Sequence, residues 1–113
     1  MEHRWSERRA VRGRVRIGFP GGATTETGVW NLSLGGVGIV YHEPAAVGTR
    51  VQLSLRLETL TDVPQSYRLS GEVVHETTGH LGIAFLDADP ETMRSLRTAL
   101  ETDPASHPGR VAA

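Results

Sequence analysis

The apolar positions of this chain fall into six short alternating runs, followed by one run of a different period. In the first, Val11, Gly13, Val15, Ile17 and Phe19 share one face, and Arg12, Arg14 and Arg16 the other. A period of two with charges on one side predicts a strand with one wet face. Pro20-Gly21-Gly22 predicts the turn that ends it. Thr24 to Leu32, rich in Thr, Val and Trp, predicts a second strand, and a turn over Ser33–Gly36 leads to a third over Val37–Tyr41. Pro44 and Gly48 mark a loop. A fourth strand is expected from about Arg50 to Leu60, with Val51, Leu53, Leu55 and Leu57 inward and Gln52, Ser54, Arg56 and Glu58 outward. After a connection at Thr61–Pro64, a fifth strand over Ser66–Glu76 would bury Tyr67, Leu69, Gly71 and Val73. Thr77-Thr78-Gly79 suits a hairpin with Gly at the positive-φ position. The sixth strand, His80–Leu86, would bury Leu81, Ile83 and Phe85.

The period then changes. Asp89-Pro90-Glu91 carries a capping side chain, a proline at the first helical position and an acid in the first turn. Met93, Leu96 and Leu100 follow as an apolar stripe, and Asp103-Pro104 stops the helix. The pattern predicts a mainly β fold: a six-stranded antiparallel β-barrel with a C-terminal α-helix, closure being the way to remove exposed sheet edges. The expected organisation is a basic N-terminal arm over residues 1–10, the barrel and helix over 11–101, and a loose tail over 102–113. There is no internal repeat and no sign of a second domain.

Composition narrows the function classes. The 113 residues suffice for one domain, and a chain of this size buries roughly 60–68% of its unfolded surface. There is no cysteine, which excludes disulfides and thiolate metal sites. No apolar run approaches the roughly 20 residues that span a bilayer. The charged opening residues lack the apolar core of a signal peptide, so a cytoplasmic location without membrane insertion is expected. The five histidines show no metal-ligand spacing. No nucleophile, base and orienting group can be assembled, so no enzyme is expected.

The net charge of −1 conceals an asymmetry. All twelve basic residues are Arg; six lie within residues 1–16 against Glu2 and Glu7, and the remainder of the chain is net acidic. A basic arm on an acidic body points to a local anion site rather than to a nucleic-acid polymer, whose binding wants a basic, aromatic-studded face.

Two motifs give that site a candidate identity. Arg8 and Arg12 form RxxxR, although Arg4 and Arg8 form it too, and Asn31-Leu32-Ser33-Leu34-Gly35-Gly36 forms [D/N]xSxxG. The final strand, Leu81-Gly82-Ile83-Ala84-Phe85-Leu86-Asp87, and the helix start Asp89-Pro90-Glu91 complete the likeness. Together, in this order on this strand pattern, they resemble the PilZ domain, a bacterial receptor for cyclic di-GMP, over roughly residues 7–101. The resemblance implies the same barrel and helix. It implies Arg8 and Arg12 as the motif arginines, Arg9 as a further ligand-contacting arginine, and Asn31, Ser33 and Gly36 as the second motif. Val11 stands where the family often has Pro. No cofactor is implied beyond the ligand, and the partner would be an unidentified downstream protein.

The chemistry suits the ligand. An Arg fork meets guanine O6 and N7 bidentately, worth about 1–3 kcal/mol of discrimination, and pairs with phosphate in the same geometry. Asn31 offers an acceptor and a donor to a base edge, and Ser33 can turn either way toward base or phosphate. Gly35 and Gly36 would let a phosphate or base approach backbone N–H groups and would permit positive φ. Trp30 and Trp5 are candidates to stack on guanine or to pack on the barrel. Taken singly, Asn, Ser and Gly also make ordinary turns. Two other functions stay open: a ligand-independent adaptor of the same fold, and a small barrel that binds RNA or single-stranded DNA.

Overall fold

Alternation decides which side of each strand becomes the interior, and pairing decides the order. The computed structural model describes residues 11–58 and 65–102. Its strands are β1 (Gly13–Gly18), β2 (Thr24–Leu32), β3 (Gly36–Val40), β4 (Arg50–Leu57), β5 (Gln65–Thr77) and β6 (His80–Leu86), followed by helix α1 (Pro90–Thr102). The order β1-β2-β3-β6-β5-β4 closes into a barrel because β1 pairs with both β2 and β4. Every pairing is antiparallel. Closure leaves no open edge among these strands to template association.

The inward positions are those the alternation predicts. Val15, Ile17, Val37, Ile39, Leu53, Leu55, Val73, Leu81 and Ile83 are all buried. Full burial of each such side chain is worth about 1.5–3 kcal/mol. Phe85 and Phe19 are only half-buried; Phe19 lies against Tyr41 with ring centroids 5.5 Å apart. The turns also match: Gly21, Gly22 and Gly79 all take positive φ.

The strand ends differ slightly from the sequence pattern. β1 begins at Gly13, but the Arg12 carbonyl still accepts the Glu58 N–H at 3.1 Å, so the chain enters alongside β4. The expected fourth-strand residues 59 and 60, the connection at 61–64, the arm at 1–10 and residues 103–113 of the expected tail lie outside the described residues, while Thr102, expected in that tail, ends α1.

Helix α1 starts where the cap predicts. The Asp89 carboxylate accepts the Thr92 N–H at 3.0 Å and the Thr92 hydroxyl at 2.6 Å. Those bonds, the side-chain one foremost, hold the Asp89 carboxyl below its ordinary pKa. The buried stripe is Leu96, Ala99 and Leu100. Met93, expected with them, is only partly buried, outside the core cluster, and lines a cavity of about 360 Å³ with Leu34, Pro90, Arg94 and Arg97. It lies in the first helical turn, beside the β2–β3 turn instead of over the interior. The Tyr67 hydroxyl, 3.3 Å from the Ser95 carbonyl that accepts from it, ties α1 to β5.

Candidate ligand site

Two irregularities in the barrel build the site. The β2–β3 register shifts between Val29 and Asn31, and the β5–β6 register shifts between Val73 and His75. A bulge inserts one residue and reverses which way the following side chain points. On β2 the inserted residue is Trp30, 52% exposed, and Asn31 follows it onto the outer surface. On β5 the inserted residue is Val74, also exposed, and His75 follows.

Asn31 then pairs with Gly38, Gly38 with Gly82, and Gly82 with His75. This row crosses β2, β3, β6 and β5, three strand spacings or about 14 Å. The two central positions carry no side chain. A Cβ on Gly38 would lie 2.5 Å from the Asn31 Oδ1, and one on Gly82 would lie 3.1 Å from the His75 Cβ. The Asn31 amide therefore lies over Gly38, His75 flanks Gly82 from the other side, and the row between them forms a shallow saddle with glycine at its two central positions. One row further, Val40 pairs with His80, and the His80 ring stacks on Trp30 with centroids 3.9 Å apart and an interplanar angle of 28°. The stack walls one side of the saddle with aromatic surface.

The turn that follows Asn31 is closed on itself. Ser33 is buried, and its Oγ accepts the N–H groups of Gly35 at 3.1 Å and Gly36 at 3.2 Å. The Ser33 N–H donates to the Gly36 carbonyl at 2.9 Å, and the Gly35 carbonyl accepts the Phe85 N–H at 2.9 Å. The turn is thus bolted to β6. This changes the reasons given for two glycines. Gly36 does not take positive φ. It is glycine because a Cβ there would fall inside contact distance of the Ile83 carbonyl oxygen on β6. The N–H groups of Gly35 and Gly36 face Ser33 instead of an approaching phosphate, because burial obliges a polar group to find a partner inside the fold. Ser33 positions the turn, and with it Asn31.

Arg12 is exposed, two residues before the Arg14–Gly28 pair of β1 and β2. That register brings the entry to β1 to the end of β2 that carries Trp30 and Asn31. Arg12 therefore enters about level with Trp30, at the end of β2 that leads into the Asn31–Gly36 turn. Arg8, Arg9 and Trp5 lie outside the described residues. Trp30, a candidate for stacking on a ligand, already stacks within the chain on His80.

Gly38, Gly82, His75 and His80 were not legible as site residues. A trace was present: Val37-Gly38-Ile39 and Leu81-Gly82-Ile83 repeat one pattern, with glycine at the outward position of each. Only pairing shows that the two glycines meet. Among the described residues no group of three or more His, Asp or Glu side chains could hold a metal ion, and no helix is long and apolar enough to cross a membrane.

Known proteins place this geometry in context. The PilZ domain model matches residues 2–102. No curated protein matches the chain. Among solved structures it is similar to the PilZ domain of Escherichia coli YcgR with c-di-GMP, at 17% identity and a TM-score of 0.67, covering 89% of this chain and 92% of that one. The Bacillus subtilis inhibitor of motility MotI/DgrA aligns at 14% identity with a TM-score of 0.76, over 89% of this chain and 51% of the other. The PilZ domain of CeSA, from a cellulose-synthesising bacterium, aligns at 15% identity with a TM-score of 0.62, over 85% of this chain and 97% of that one.

Proposed function

We propose, on the premise that this chain belongs to the PilZ domain family, that it is a cytoplasmic receptor for cyclic di-GMP that acts by binding and not by catalysis. The observation that carries the reading is the saddle. Asn31 is held by a bulge over a glycine floor, beside the Trp30–His80 stack and at the barrel end reached by Arg12. A guanine can lie along the glycine row there, its edge toward the Asn31 amide and its face near the aromatic wall. Ser33, Gly35 and Gly36 hold Asn31 in place through the locked turn.

The phosphates and the second guanine fall to Arg12 and to Arg8 and Arg9 of the basic segment, residues 1–10. Closing this segment over the saddle replaces the surface shown to a downstream protein, which is how binding becomes a signal. No cofactor takes part. The structural relative from Escherichia coli is described with c-di-GMP, in keeping with this choice of ligand.

Calorimetry with cyclic di-GMP tests the reading. Saturable binding is expected, and a folded sample that shows none at high micromolar ligand overturns it. Arg8→Ala removes a charge-assisted bond worth about 1.5–3 kcal/mol, or about 10–150-fold in affinity. Full affinity in that variant would exclude Arg8 from the site.

A further inference from the structure

The face of the barrel opposite the saddle carries an unusual charge arrangement. β1, β4 and β5 are neighbours, and their registers fix which outward side chains adjoin. Arg14 on β1 is directly opposite Arg56 on β4. One step along, Arg16 is opposite Ser54, and Ser54 is opposite Arg68 on β5. Four exposed arginines thus surround Ser54 on three adjacent strands. Like charges directly opposite each other destabilise an antiparallel pair. Among the described residues Glu26 is the acid within ion-pair distance of them: it lies 3.4 Å from Arg14 and 3.7 Å from Arg16, with all three side chains more than half exposed. Such exposed pairs are worth little. Among the described residues Arg56 and Arg68 have no acidic partner within ion-pair distance.

We infer that this β1–β4–β5 face is a docking surface for an acidic patch of a protein partner. Three features choose the occupant. The positions are outward ones on a closed barrel, so the surface is convex, whereas small-molecule sites are concave. Among the described residues no aromatic side chain stands at the outward positions between the four arginines, which argues against single-stranded nucleic acid, whose bases want stacking platforms. Nor, among the described residues, does an apolar side chain stand there to enter a bilayer. What remains is a set of guanidinium forks matched to carboxylates, and Arg is enriched at protein interfaces for that reason. The inference is independent of the ligand proposed for the saddle.

The test uses the whole chain, labelled for NMR, with decaglutamate as the probe. An oligothymidylate of equal charge and phosphatidylglycerol vesicles serve as competitors. At low salt the peptide is expected to shift the resonances of Ser54 and the four arginines, and to leave those of Gly38 and Gly82 in place. In the double variant Arg56→Glu/Arg68→Glu its affinity should fall by at least about tenfold, with the melting temperature retained. Arg56→Gln/Arg68→Gln removes the charges without reversing them and should lose part of the affinity; it carries the test if the reversed variant does not fold. Shifts elsewhere, no shifts, or unchanged affinity in the folded variants overturn the inference. So does tighter capture of the same face by the oligonucleotide or the vesicles.

Discussion

The two sides of this barrel solve opposite problems with the same strands. On the β2–β3–β6–β5 side, side chains are removed: Gly38 and Gly82 adjoin, the Asn31 amide lies over Gly38, and His75 flanks Gly82. On the β1–β4–β5 side, side chains are crowded: Arg14 meets Arg56, and Ser54 lies between Arg16 and Arg68. The first side is irregular, with a bulge in each flanking strand; the second runs in uninterrupted register. A bulge re-aims one side chain, which suits a site that must place a single amide. A regular ladder repeats one spacing, which suits a surface that presents several like groups. β5 serves both, residues 65–72 pairing with β4 and residues 70–77 with β6.

The comparison breaks first at the turn. Gly36→Ala drives a Cβ into the backbone of β6, where no rotamer change can relieve it. A loss of about 3 kcal/mol or more is expected, read as a melting temperature lower by roughly 12 °C or more. An unchanged melting temperature would mean that Gly36 is not held by close approach to β6. Ser33→Ala comes next. It leaves the N–H groups of Gly35 and Gly36 without their acceptor, at a cost of about 1–3 kcal/mol. The loss should appear in chemical denaturation without ligand, which separates turn maintenance from a direct bond to a bound nucleotide.

Gly38→Ala sharpens the contrast between fold and site. Its new Cβ meets the amide group of the Asn31 side chain, which can swing aside. Stability should change by under about 1 kcal/mol, while affinity for cyclic di-GMP falls by about tenfold as Asn31 leaves its place and the floor rises. Equal affinity in this variant would remove the saddle from the proposed site.

Asp89 belongs to neither face and serves as a control. Its pKa is lowered in the folded chain, so its stabilising effect is present above the ordinary carboxylate value and is lost as pH falls through the lowered one. Asp89→Ala should therefore melt earlier than the parent at neutral pH. The two melting curves should converge below about pH 4. The smallest effect is expected on the arginine face. Arg56→Glu turns a like-charged cross-strand pair into an opposite one and should stabilise by about 0.2–0.5 kcal/mol at low salt, with the gain fading as salt rises.

Most of the fold could be read from the chain because its strands have one wet side. In β4, Val51, Leu53, Leu55 and Leu57 alternate with polar residues without a break, and every one is buried. The helix start was equally legible, since Asp89 caps through bonds to its own neighbour Thr92. Met93 lies at the edge of the stripe and not in the core, because helical spacing gives a stripe but not its limits, and the first turn of α1 adjoins the Leu34 turn. In the site, Asn31, Ser33 and Gly36 stood out as a motif. Their division of labour did not, because it depends on Ile83 and Phe85, about fifty residues away.

The sequence by itself determined the inward faces, the turns, the helix cap and the concentration of arginine at one end of the chain. Each of these follows from neighbours a few residues apart. Tertiary structure alone decided that Gly38 meets Gly82, that Trp30 stacks on His80, and that Arg14 confronts Arg56. The reason is register. A shift of one residue in any strand would send each of these side chains to another neighbour or to the other face. Register is fixed by barrel closure and by two bulges, and neither is written in any short stretch of the chain.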